Sequence, residues 1–427
     1  MQSNFNKVVF VIFILINYLI IAQEYEWESF NSDTTVSGWI SSIKIDSDDT
    51  KWICTYGNGL AKYNNETWTI YNESNSDIPN NLCWAVNIDV EGIKWVGSGT
   101  NNGGLVKIDG DNWEIFNKNN SGLPNNHVHS ISFDKDGNKW IGTLQGGLAV
   151  FNDTSWTNYN TQNSDIPSNE ILCVTIDSEN KKWVGTWHNG FAIFDGSEWI
   201  VYNTDNSPLP HNTVIGFAID SENNKWIATE GGGLVKFDGI NWIIFNTTNS
   251  SLVSDDLISV EIDINGNLWI GSTFGGLAFF DKTDWRIFNK SNSGISDDSP
   301  LCTTFDTNGD VWIGTWNGGV SVFKNGLNIV SVDKVSDVLP QEYFLYQNYP
   351  NPFNPTTSIS YQIPKDCFVN LMVYNSLGQE VSTLVNEYQI SGKYSVQFNA
   401  TGLSSSVYFY KIEYESFTKV KKMLLLR

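Results

Sequence analysis

The sequence predicts an all-β protein, a seven-bladed β-propeller closed by an N-terminal strand and followed by a small immunoglobulin-like β-sandwich. Three observations predict it. A Trp recurs at Trp52, Trp95, Trp140, Trp183, Trp226, Trp269 and Trp312, with spacings of 43, 45, 43, 43, 43 and 43 residues. The segments around these Trp share one grammar of four short strands. The seventh repeat lacks its last strand, and a segment that matches it stands alone at the other end of the chain.

Composition agrees with this reading. Aromatic residues make up 14% of the 427, Gly is abundant at 35, and Pro and Met number only 11 and 3. Many short aromatic strands joined by Gly and Asn turns have that composition. The length exceeds what one core organises, so a large repeat unit and a smaller domain are expected.

Taken in order, the chain opens with Lys7, an apolar run from Val8 to Ile21, and Ala22 before polar Gln23 and Glu24. This is the pattern of a signal peptide over residues 1–22. The alternative, an uncleaved anchor, would have to work with fewer than the ~20 apolar residues that span a bilayer. No other stretch could cross a membrane, so no span is expected once the signal is removed.

Residues 23–332 are assigned to the propeller. Each repeat begins with an apolar run such as Ile171 to Ile176 that ends in Asp, at Asp46, Asp89, Asp134, Asp177, Asp220, Asp263 and Asp306. The Asp stands six residues before the Trp, with Gly or Asn commonly between them, which reads as an Asx-type turn between two strands. After the Trp comes a Gly-rich turn such as Gly146-Gly147, then a third strand such as Leu148 to Phe151. A second Trp opens a fourth strand ending in aromatic-Asn, as in Trp156 to Asn160. So regular a register means one copied unit, and four antiparallel strands in about 43 residues is the period of a propeller blade. The spacing of 45 comes from two extra residues in the turn from Gly99 to Gly104.

Six repeats carry the second Trp 16 residues after the first, or 18 where the turn is longer. In the seventh that position is Asn328, with nothing aromatic nearby. Trp27-Glu28-Ser29-Phe30-Asn31 therefore supplies the outermost strand of the last blade, whose other strands run from about Leu301 to Phe323. Joining the chain ends this way leaves no loose seam.

With Asp134 to Phe151 (DKDGNKWIGTLQGGLAVF) and its copies as the carrying residues, the repeat resembles those in the sensor regions of bacterial hybrid two-component regulators. In that family the propeller reads an extracellular ligand, often a glycan fragment, for a kinase. No transmembrane helix or kinase follows in this sequence, so the signalling role is not expected to carry over.

A linker is assigned to 333–342, and a second β pattern to 343–427. Its candidate strands are Thr357 to Ile363, Val369 to Tyr374, Tyr394 to Asn399 and Val407 to Tyr414, followed by a basic end at Lys419 to Arg427. A sandwich of under about 100 residues fits. The segment resembles the type A C-terminal sorting domain of the type IX secretion system. The residues that carry the likeness are Gln347 to Pro355, Tyr374 to Gln379, Gly402-Leu403, Val407-Tyr408-Phe409 and Lys421 to Leu425. The resemblance implies the type IX machinery as a partner and a secreted or outer-membrane-surface location. An ordinary accessory sandwich is the alternative.

The net charge of -22 repels phosphate backbones and excludes nucleic acid as a partner. Five Cys without CxxC spacing indicate neither a zinc site nor a disulfide framework. Cys173 and Cys302 share one repeat position and read as core packing. Asp134-Lys135-Asp136-Gly137-Asn138 resembles part of a calcium loop, but no Glu follows at the needed distance. No metal, cofactor or catalytic residue is assigned.

Antiparallel strands put the second-to-third turn and the fourth-to-first connection on one face of the ring. That face carries residues the repeat does not demand: Trp39, Tyr56, Trp84, Trp187, His188, Phe274 and Trp316. Exposed aromatics beside Asn and Asp suit sugars, whose apolar faces lie on rings while hydroxyls find polar partners. The expectation is a monomeric ligand-binding or interaction module, with a polysaccharide or a cell-surface protein as its partner. The rival is a lyase-like secreted enzyme, because His127, His129, His188 and His211 all fall on this side. Against it, His129 aligns with the core positions Leu172 and Ile215.

Overall fold

The computed structural model describes residues 26–30, 36 and 38–324 apart from 65 and 101, and 343–426 apart from 349, 350, 366, 390, 391, 415 and 416. The expected signal peptide and the linker lie outside the described residues. The chain divides into two compact units, Met1–Ile329 and Val330–Arg427.

The first unit holds seven four-stranded antiparallel sheets. Six are built from consecutive strands: blade 1 is Ile40–Ile45, Lys51–Thr55, Gly59–Asn64 and Thr67–Tyr71, and blades 2 to 6 repeat it. The seventh joins Pro300–Phe305, Val311–Thr315 and Val320–Phe323 to Trp27–Phe30 from the start of the chain. In that last pairing Trp27 faces Phe323 and Phe30 faces Val320. The first strands of successive blades lie side by side, and Ile40–Ile45 touches both Cys83–Ile88 and Pro300–Phe305, which closes the ring. The expected fold and closing strand are both present.

Both faces of every blade are covered, so the second strands have no solvent side: Lys139–Thr143 (KWIGT) is buried at every position. Close packing explains the Gly within it. A Cβ on Gly142 would stand 2.7 Å from Ile171 Cγ2 of the next blade's first strand. Cys173 and Cys302 occupy matching places as expected, each thiol 3.7 Å from a backbone oxygen of the following blade, Val214 and Ile40 respectively.

The repeated Asp does more than form a turn. Asp134 Oδ1 accepts the backbone N–H of Asp136 and Asn138, each at 3.0 Å, which is the expected Asx turn. Its Oδ2 also accepts the indole Nε1–H of Trp140 at 2.9 Å. The same indole bond recurs in all seven blades at 2.9 to 3.1 Å. Burial raises the Asp134 carboxyl pKa, but bonds from Asn138, Trp140 and the turn more than offset this and hold it below its ordinary value.

A third tie crosses to the next blade. Lys182 of blade 4 lies over the Trp140 ring, 4.8 Å from its centre, with its ammonium 3.8 Å from Asp134. Lys51, Lys94, Lys139 and Lys225 repeat the stacking on Trp312, Trp52, Trp95 and Trp183. Leu268 and Val311 take the lysine's place at the remaining two seams, and both are buried.

The second unit packs a three-stranded sheet (Phe344–Leu345, Thr356–Ile363, Gly392–Asn399) with a four-stranded one ordered Glu380–Gln389, Cys367–Tyr374, Ser406–Tyr414, Phe417–Leu425. Alternation sends Ile359, Tyr361, Val369, Leu371, Tyr410 and Ile412 into a single core. Three strands exceed the sequence expectation: the short Phe344–Leu345, Glu380–Gln389, and Phe417–Leu425 where a basic end was expected. In the last, lysines fill most of the middle and only Met423 and Leu425 are buried, so its period of two is confined to the last few residues.

The closing strand serves both neighbouring seams. Trp27 stacks on Phe323, with centroids 4.6 Å apart, and leans on Phe288 of blade 6. Phe30 points the other way, 5.3 Å from Trp68 of blade 1 and 5.9 Å from Trp312. Lys324 holds the strand's edge between Glu28 at 2.9 Å and Asp310 at 3.2 Å. Phe30→Ala should therefore destabilise the whole first unit by about 3 kcal/mol, read as one cooperative shift in denaturant unfolding. A separate early transition, or no change, would mean the strand is an appendage.

Candidate functional site

The candidate face is built from the same backbone bonds in each blade. The N–H of the residue opening the second-to-third turn donates to the carbonyl of the residue before the first strand. Examples are Tyr56 to Trp39 at 2.9 Å, Leu144 to His127 at 3.1 Å, Trp187 to Glu170 at 3.1 Å and Trp316 to Ser299 at 3.0 Å. The turn also bonds the connection entering the next blade, as Gly57 N–H does to Asn81 O at 3.0 Å. The two loop sets thus share one face, as the sequence implied. Backbone fixes these positions, and side chains are free to differ.

Four of the seven candidate residues come together. Trp39 lies between Tyr56 and Trp316, at centroid distances of 4.8 and 4.9 Å and interplanar angles of 24° and 20°. Trp84 meets Trp39 and Tyr56 edge-on at 5.4 and 5.3 Å. The result is an aromatic plate across blades 7, 1 and 2, in which Tyr56 is 43% exposed and Trp316 37%. His127 and His129 extend it to blade 3, with rings 5.1 and 5.2 Å from Trp84. The sequence reading left these two out of the site. Trp84 and His129 hold the second position of adjacent first strands, so aligning the repeats carried the signal.

The plate leaves two polar atoms unsatisfied. Trp84 Nε1 and His127 Nε2 are buried without a hydrogen-bond partner among the described residues. They flank Gly99, where a Cβ would stand 2.1 Å from Trp84 Nε1 and 3.4 Å from His127 Nε2. Burial, then the neighbouring His129, lowers the His127 pKa to about 4, so its ring is neutral at pH 7.

The other three candidates stand apart. Trp187 packs on His188 at 5.4 Å in blade 4, and Phe274 of blade 6 is 82% exposed. His188 and Phe274 have φ of +71° and +57°, at the turn position where Gly57 and Gly231 lie in blades 1 and 5. A left-handed backbone costs a bulky residue energy that Gly avoids.

The remaining histidines have structural partners. His129 Nδ1 donates to Leu172 O in the next blade's first strand at 2.9 Å, and Ser41 Oγ of blade 1 likewise reaches across to blade 2, at Cys83 O. His211 Nδ1 accepts from Thr213 N–H at 3.1 Å, as Asn125 Oδ1 does from His127 N–H in blade 3. Many loop Asn are engaged as well. Asn75 bonds Ile70 O and Asn72 N–H, and Asn81 bonds Glu73 N–H, so these amides hold their own connection. Acids occupy the rim on the other side: Glu230 and Asp256 face each other across a backbone bridge, and Glu170 stands where Trp39 does in blade 1.

If Phe274 is strained for a purpose other than folding, Phe274→Gly should raise stability by about 1 kcal/mol, measured by denaturant unfolding. A loss of stability would make the exposed ring part of the packing.

The family model for the secretion system C-terminal sorting domain matches residues 347–426, and that for the two component regulator propeller matches 122–145. No curated protein matches the chain. Among solved structures, the extracellular domain of the putative hybrid two component system BT3049 from B. thetaiotaomicron is similar at TM-score 0.63 and 20% identity, over 94% of this chain and 57% of that one. PorZ, a surface component of the type-IX secretion system of Porphyromonas gingivalis, is similar at TM-score 0.57 and 14% identity, over 94% and 61%. This chain thus spans about three fifths of the length of either, and the likeness shows the fold. The chain thus joins a seven-bladed propeller, in which residues 122–145 match the two component regulator propeller model, to residues 347–426 that match the secretion system C-terminal sorting domain.

Proposed function

We propose that this is a secreted or cell-surface propeller that binds a glycan on its aromatic face and is exported by the type IX system through residues 343–427. The observation that carries the reading is the plate of Trp316, Trp39, Tyr56 and Trp84. Equivalent turn positions in blades 2, 3 and 5 hold Gly99, Leu144 and Glu230, so the fold does not require rings there. A pyranose lays its apolar face on such rings.

The acids of the opposite rim, with the charge of -22, favour neutral over anionic glycans. Catalysis has less support, because His129 and His211 are committed to backbone bonds.

A glycan array probed with the full chain, followed by calorimetry on each hit, tests the proposal. Tyr56→Ala and Trp316→Ala should each weaken binding by about tenfold or more, while Trp187→Ala changes it little. An array without hits, or binding that survives both plate substitutions, overturns the reading.

A further inference from the structure

The residues that mark the sorting domain divide by where the sheet sends them. Asn348, Tyr408, Met423 and Leu425 are buried. Tyr374, Phe409 and Lys422 lie outside that core, on the outward side of the four-stranded sheet. Strand pairing brings them together: Tyr374 is opposite Phe409, and Phe409 is opposite Lys422. One row further on, Met372, Lys411 and Val420 line up across three strands.

An antiparallel sheet face left to water is ordinarily polar. Here it is apolar at one end, with Val420 50% exposed. The Asn375–Gly378 turn raises a wall beside it. Asn375 Oδ1 accepts the N–H of Leu377 and of Gln379, each at 3.0 Å, and Gly378 takes φ +77°. The groove so formed holds about 360 Å³, floored by Tyr374, Phe409 and Val420, with Lys411 at its side. Lys411 is paired with Glu413, and the nearby Glu380 accepts Thr383 Oγ1 at 2.6 Å. Lys422, opposite Phe409 and just beyond the groove's lining, makes no ion pair among the described residues and adds a positive charge beside it.

We propose that this groove is the surface by which the secretion machinery holds the sorting domain. Its occupant is a polypeptide segment that seats an apolar side chain on Tyr374, Phe409 and Val420 and turns a carboxylate to Lys422. The proposal rests on the sorting-domain reading of residues 347–426. Apolar contact supplies the bulk of such an interaction, and the single charge sets its register.

The test is export of the full chain from a bacterium that has the type IX system, scored by immunoblot of medium and surface against periplasm. Val420→Glu and Lys422→Glu should each cut export by roughly tenfold or more and leave folded protein in the periplasm. Lys422→Arg should restore it. Phe368→Glu is the control, since Phe368 is 52% exposed on the same sheet at the end away from the groove, and it should export normally. Wild-type export of both groove variants, or an equal block by Phe368→Glu, overturns the proposal. Deleting residues 343–427 separates the two readings. Export of the truncated chain defeats the sorting reading itself, whereas retention of the truncation with free passage of the groove variants defeats only the groove.

Discussion

One carboxylate per blade organises the propeller. The Asp that ends each first strand closes its turn, fixes the tilt of the buried Trp through the indole N–H, and at most seams draws in the next blade's lysine. A Trp inside a sheet stack needs a partner for its N–H, because burying that group unsatisfied costs free energy. The lysine stem covers the ring's open face and its ammonium finds the same carboxylate, so a single group couples local turn geometry to blade-on-blade packing.

The rest follows from rigid repetition. Once the Trp are fixed, seven sheets of the same strand order pack one on the next, and the first strands meet around a ring. The remaining difficulty is the outer edge of blade 7, which Trp27–Phe30 resolves by pairing with Val320–Phe323 and packing rings into both adjacent seams. Loops on one face are then held by backbone bonds that every blade shares. A face whose scaffold does not depend on its side chains can vary them for recognition, which is how four rings from three blades meet there.

The architecture was legible because periodicity carries it: the Trp spacing, the Asp six residues earlier and the absent last strand all report on backbone repetition. The second role of that Asp was not legible, since a turn former and an indole acceptor leave the same letter in the sequence. Of the candidate face, sequence placed all seven residues on one side but could not say which touch. Trp187 and Phe274 sit at the right repeat positions yet stack on none of the plate's rings, while His127 and His129 join it through Trp84. Loop Asn that looked available for hydroxyls prove to be tied to their own backbone. In the second unit the strand Phe417–Leu425 was hidden because lysines occupy both faces of its middle.

The measurement that bears most directly on this account is denaturant unfolding of Asp134→Ala beside Asp220→Ala. Both lose the turn and indole bonds, but only the first also takes the carboxylate from a buried lysine, leaving Lys182 its bond to Asn180 O, because Leu268 stands where Lys182 would be in the blade after Asp220. The account predicts that Asp134→Ala costs about 3 kcal/mol or more, that Asp220→Ala costs less, and that adding Lys182→Leu to Asp134→Ala recovers part of the loss. Equal costs at the two sites, or a further loss on adding Lys182→Leu, would contradict it.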